Sequence, residues 1–160
     1  MQLKINPLAA IIAWASVIFA TSCTFIDRRV FIQFVGRFIP NGVPQRLWIE
    51  FWNSFGLVVV KSYHVMEYAL LCTLAYCALR NRAKWSPTRT LCMAAAASIL
   101  YAASDEWHQT FVPGRGGTWV DVVIDSLGVC MASVLIATRL RRANAVRNDR
   151  DLTEAAVRNS

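Results

Sequence analysis

The chain has 160 residues, enough for one domain, and its 56% hydrophobic and 17% charged content with a mean hydropathy of +0.37 excludes an ordinary soluble domain, where about 25% charged residues are usual. A formal charge of +7 and a pI near 9.6 would suit a nucleic-acid partner. Arg and Lys, however, fall mainly in the gaps and tail flanking apolar segments, the placement of juxtamembrane charges, so no nucleic acid is expected and membrane lipids are the expected partners.

In chain order, residues 7–25 form an uncharged run of 19, close to the roughly 20 needed to span a bilayer core. Residues 26–56 are not an ordinary loop. Phe31, Phe34, Val35 and Phe38 recur at helical spacing, and after the Pro40-Asn41-Gly42-Val43-Pro44 break so do Leu47, Trp48, Phe51, Trp52 and Phe55. Two short amphipathic helices in the outer interface satisfy the pattern, as does one such helix followed by an N-terminal extension of the next span, bent near Gly56. Further spans are predicted at 57–79, 90–107 and 119–138, each polar at one end only. Residues 143–160 mix both charge signs and read as a solvated or frayed cytoplasmic tail behind a membrane domain of residues 1–142.

The predicted fold is therefore all-α, a polytopic bundle of four transmembrane helices with one or two short interfacial helices between the first and second. Lys4, Arg80, Arg82, Lys84, Arg89, Arg139, Arg141 and Arg142 lie on one side, against Arg28, Arg29, Arg37, Arg46 and Arg115 on the other, which places both termini in the cytoplasm. The five cysteines have neither metal-ligand nor redox spacing and read as small buried hydrophobes. Cys23 has a rival reading as a lipoprotein cleavage site, since Ala20-Thr21-Ser22-Cys23 follows Lys4 and an apolar run.

Polar residues collect at one depth. The second span presents Lys61, His64, Glu67 and Tyr68 along one stripe, with His64 about 10 Å in at 1.5 Å per residue. The third carries Asp105, His108 and Gln109 on a face, with Glu106 turned about 100° away. The fourth offers Asp121 and Asp125. Such groups cost about 3 kcal/mol each at membrane depth even on lenient insertion scales, so they require partners. Bland readings stand beside each: Thr118 and Asp121 spell a capping box, Lys61 can pair with Asp105, Glu106 or Asp125, and His64 can be a satisfied core residue. Val112-Pro113-Gly114-Arg115 reads as a tight turn, or, with Gly116, Gly117 and the next helix's amino end, as a phosphate cradle around Arg115. The Asp-Glu-Trp-His string lacks the nucleotide loop of a helicase, and no His-Glu-x-x-His zinc motif is present.

Two blocks carry a family resemblance. One is Lys61-Ser62-Tyr63-His64-Val65-Met66-Glu67-Tyr68; the other is Tyr101, Ser104-Asp105-Glu106-Trp107-His108-Gln109, Phe111-Val112-Pro113-Gly114-Arg115, then Asp121 and Asp125 before Gly128. In these the chain resembles VanZ-like integral membrane proteins. It departs at Val60, where many relatives place an acid, at Val65 in place of a common Phe, and at Cys72 in place of a small glycine. The resemblance implies a small multi-pass bacterial membrane protein of the cell envelope, from a family whose namesake is associated with resistance to the lipoglycopeptide teicoplanin. A housekeeping role in envelope or lipid metabolism is equally implied.

Two functional classes follow, with a purely structural polar network as the third reading. In one, the pocket binds an envelope lipid or lipid-linked ligand through Lys61, Glu67, Tyr68, Gln109, Arg115 and Asp121. In the other it is an enzyme site acting on an envelope lipid, with His64, Asp105, Glu106, His108 and Asp125 as candidate acids and bases, or with several carboxylates and a histidine holding a divalent metal. Binding is favoured, because there is no hydrolase-type serine and no complete metal signature; no cofactor is expected.

Overall fold

A computed structural model describes residues 6–23 and 28–158. It has five helices and, among the described residues, no strand. α1 spans Pro7–Ser22, α2 Arg28–Gly36, α3 Val43–Arg82, α4 Pro87–Gln109 and α5 Trp119–Arg158. α3 and α5 are long and apolar enough to cross a bilayer, while α1 is a shorter apolar helix.

Local chemistry sets the starts. Asn6 caps α1 by accepting the Leu8 N–H, Ser86 caps α4 by accepting the Arg89 N–H, and a proline opens each of these helices where its missing N–H costs nothing. Gly42, at φ 101°, turns the chain into α3. The Ser86-Pro87 start carries α4 three residues ahead of the expected Thr90. The last residues of the first predicted span, 24–25, lie outside the described residues.

Of the two arrangements that the aromatic segment after Pro44 allowed, the structure has the extension of the next span: the segment is the first part of a 40-residue α3 that continues as helix through Gly56. Trp48 and Trp52 brace it against α2, their rings 6.1 and 4.8 Å from Phe31, and the Trp48 indole N–H donates to the Ile32 carbonyl. The tail, expected to be solvated or frayed, is exposed over residues 143–154 and helical to Arg158, since no glycine or proline follows Gly128 within α5 to stop it.

α3 is the hub, packing against α1, α2, α4 and α5, and α4 also packs on α5 and α1. The core comprises Ile18, Tyr68, Leu71, Cys72, Ala102, Val129 and Ala132. α1 is tied in by the Trp14 indole donating to the Glu67 carbonyl and the Tyr101 hydroxyl donating to the Ala15 carbonyl. At Gly128 the helices approach so closely that a Cβ would lie 2.0 Å from the Val65 carbonyl oxygen on α3.

Polar side chains share the interior with this core, while many aliphatic ones face outward. Glu67, Ser98, Asp105, Glu106, Gln109 and Asp125 are buried, while Leu57, Val58, Leu100, Val134 and Leu135 are exposed. An apolar solvent dictates that arrangement, because it rewards outward aliphatic side chains and leaves polar ones only each other. The same geometry corrects the cysteines: only Cys72 is buried, and Cys23, Cys77, Cys92 and Cys130 lie on outward faces.

Candidate functional site

The polar groups of α3, α4 and α5 meet among the helices, with one contribution from α1. Asp105 is the most heavily bonded: its Oδ2 accepts from Ser22 Oγ at 2.7 Å, Gln109 Nε2 at 2.9 Å and the Tyr68 hydroxyl at 3.3 Å. Gln109, one turn on, also donates to Glu106 Oε1 at 3.0 Å, so a single amide bridges two adjacent carboxyls that leave α4 in different directions.

Glu106 closes the loop that follows α4. Its Oε2 accepts the Thr118 N–H at 3.1 Å, while Thr118 Oγ1 accepts the Asp121 N–H at 3.2 Å to start α5. The expected capping box is thus only half formed within its own sequence. Its reciprocal half comes from Glu106, and the Asp121 side chain is released to pair with Lys61. Gly117 permits this, because a Cβ there would fall 1.8 Å from the Glu106 carbonyl oxygen.

Lys61 therefore meets Asp121 and not Asp105, Glu106 or Asp125. One turn deeper on both helices, His64 Nδ1 stands 3.5 Å from Asp125 Oδ1. The rungs match because the Lys61–His64 and Asp121–Asp125 steps each advance about one turn. Asp125 is only 1% exposed; His64 Nδ1 faces its Oδ1, and its Oδ2 has no hydrogen-bond donor. The same holds for Oε1 of Glu67, 2% exposed, and for Oδ1 of Asp105, 4% exposed. These three side chains come from three helices and lie within electrostatic range of one another.

Two sequence candidates stand apart. His108 turns toward the end of α1, its ring centroid 4.9 Å from that of Phe19 and its Nε2 3.5 Å from Cys23 Sγ. Arg115 rises from the predicted turn, in which Gly114 has φ 82° and the Arg115 N–H donates to the Val112 carbonyl, and its Nη1 donates to the Thr21 carbonyl at 2.8 Å. The amino end of α5, read as half of a phosphate cradle, already receives the Glu106 carboxylate, with Asp121 a second acid in its first turn.

Ser22 and the Thr118 N–H belong to the network and were not singled out as such from sequence. Thr118 sat in a recognised cap motif, but nothing local pointed to Glu106 as its partner. Ser22 lies 83 positions from Asp105, and only the packing of α1 on α4 brings them together. Among the described residues no three His, Cys, Asp or Glu side chains are spaced to hold one metal ion.

A family model described as VanZ/LLP1 matches residues 8–141. Comparison with curated proteins and with solved structures returned no match.

Proposed function

The chain belongs to the VanZ/LLP1 family, and from that premise we propose that it is a multi-pass protein of the bacterial inner membrane whose buried polar site binds an envelope lipid or lipid-like ligand. In this reading residues 7–25, 57–79, 90–107 and 119–138 cross the bilayer as four spans, residues 1–142 form the membrane domain, and both termini and the 143–160 tail are cytoplasmic. The site then opens to the extracytoplasmic side near the turn at Gly114. His64, Glu67, Asp105 and Asp125 line it, Lys61, Tyr68, Glu106, Gln109 and Asp121 frame it, and His108 and Arg115 stand at its rim. A link to teicoplanin resistance belongs to this reading, as the first phenotype to test.

The observation that carries it is the set of buried carboxyl oxygens without donors on Glu67, Asp105 and Asp125. A purely structural network gains nothing from leaving such atoms open, because each forfeits its lost hydration. A ligand with polar hydrogens completes them.

A second reading, a membrane-embedded enzyme acting on an envelope lipid, is favoured by one contact. His64 faces Asp125 through Nδ1, the arrangement in which a carboxyl orients an imidazole for proton transfer at Nε2.

Asp105→Asn and Asp125→Asn test the proposal, since each keeps the shape and removes the charge. They should accumulate in the membrane near the wild-type level and lose the phenotype that the wild type confers, with teicoplanin susceptibility assayed first. Loss of the protein from the membrane would instead assign both acids to the structural network, and full activity would remove them from the site.

A further inference from the structure

Positive charge collects at the end of the bundle remote from the buried acids. α3 ends in Arg80 and Arg82, Lys84 lies in the turn, Arg89 opens α4, and α5 adds Arg139, Arg141 and Arg142, all of them exposed. They share one level. α3 and α5 run side by side in the same direction, since contacting residues stay 60 positions apart at Lys61–Asp121 and 61 apart at Cys72–Ser133. That register sets Arg80 level with Arg141. The turn into α4 is held there too, by Arg80 Nη1 donating to the Trp85 carbonyl at 3.1 Å and by the Arg89 guanidinium, 5.0 Å from the centre of the Trp85 ring.

No acid answers these cations, because residues 68–104 and 126–148 contain neither Asp nor Glu. Farther along α5 the signs balance, with Arg147, Arg150 and Arg158 against Asp149, Asp151 and Glu154. The excess is therefore confined to the ends of the apolar stretches, where Arg139 follows the outward-facing Leu135 by about one turn, roughly 6 Å. In a bilayer that is the level of the lipid phosphates. Every one of these cations except Lys84 is an arginine, whose planar fork matches a phosphate bidentately. A soluble polyanion would meet the charge-balanced tail first and would have to displace the leaflet that already faces the arginines. We infer that this end of the bundle binds phospholipids of net negative charge through their phosphates, on a surface separate from the buried polar site. The inference rests on the membrane reading given above and not on the ligand proposed there.

The test uses the full chain in detergent, offered equimolar phosphatidylglycerol, phosphatidylethanolamine and phosphatidylcholine and read by native mass spectrometry for retained lipid. All three carry the phosphate, and only the glycerol head group leaves it without a cation of its own. Phosphatidylglycerol should be retained roughly tenfold over both others, and the preference should fall to about threefold or less when Arg139→Gln, Arg141→Gln and Arg142→Gln are combined. Equal retention of the three lipids overturns the inference, and so does a preference that survives the triple variant. Loss of the preference in Asp125→Asn but not in the triple variant would place the lipid in the buried site, which overturns this inference and leaves the proposed function standing. Binding of soluble polyglutamate with no preference among the lipids would assign the arginines to an acidic protein and overturn it as well. A chain found in the soluble fraction of the cell overturns the membrane reading along with it. Should the triple variant not fold, the head-group preference of the wild-type chain and its loss between about 0.1 and about 1 M salt decide.

Discussion

Replacing Gly128 with alanine tests the packing that forms the site. The added carbon would lie 2.0 Å from the Val65 carbonyl oxygen and 3.0 Å from the Ala69 nitrogen, both backbone atoms, whereas ordinary contact begins near 3.4 Å. No side chain can swing aside, so α3 and α5 must part by about 1.4 Å at that level. Overpacking of this kind costs about 1 to 3 kcal/mol. In a chain of this size that corresponds to a fall in Tm of roughly 3 to 10 °C. Val65 follows His64 and Gly128 lies one turn below Asp125, so the 3.5 Å separation of His64 and Asp125 should widen together with the loss of stability. Circular-dichroism melts of the purified protein in detergent measure the first effect. Gly116→Ala is the control, because nothing lies within 4 Å of a Cβ there, and a shift of no more than about 0.5 kcal/mol is expected. Equal melting of the two variants would refute the close approach of α3 and α5.

Glu106→Gln should destabilise by about 1 to 3 kcal/mol, because an amide nitrogen must then face either the Thr118 N–H or the Gln109 NH2, both donors. Asp105→Asn should melt near the wild type, since its new NH2 can take the place of Oδ1, which has no partner; the reverse order of these two melts would refute the assigned bonding. A double-mutant cycle on Lys61→Met and Asp121→Asn should give a coupling of about 1 kcal/mol or less, as the side chains are 38% and 20% exposed. A much larger coupling would place the pair in hydrocarbon and not at a watery helix end. Reporter fusions after Ser86 and after Arg142 should read cytoplasmic and one at Gly116 external, and a cytoplasmic signal at Gly116 would overturn the proposed side of the site.

The all-α class and the start of α5 were legible because apolar period and the Thr118 cap are local. So was the common depth of Lys61 and His64 with Asp121 and Asp125, which follows from rise per residue alone. Partner choice was not, since it depends on how far each helix is rotated about its own axis, and Gly128 sets that for α3 and α5. The expectation that Glu106 points away from Asp105 holds, and its meaning lies in the neighbours: Asp105 reaches Ser22 and Tyr68, while Glu106 reaches Thr118. The aromatic segment's helical spacing allowed its merging into the next span, and Gly56, which weakens a helix by about 1 kcal/mol, kept a separate interfacial helix level with it. Stacking between α2 and Trp48 and Trp52 outweighs that local cost.

α5 runs for 40 residues, about 60 Å at 1.5 Å per residue, with no proline and no glycine beyond Gly128. A helix without a joint fixes a ruler between its ends: Arg142, Arg147 and Arg150 stand about 25, 33 and 38 Å along the axis from Asp125, so whatever meets those arginines is held at a set remove from the buried acids.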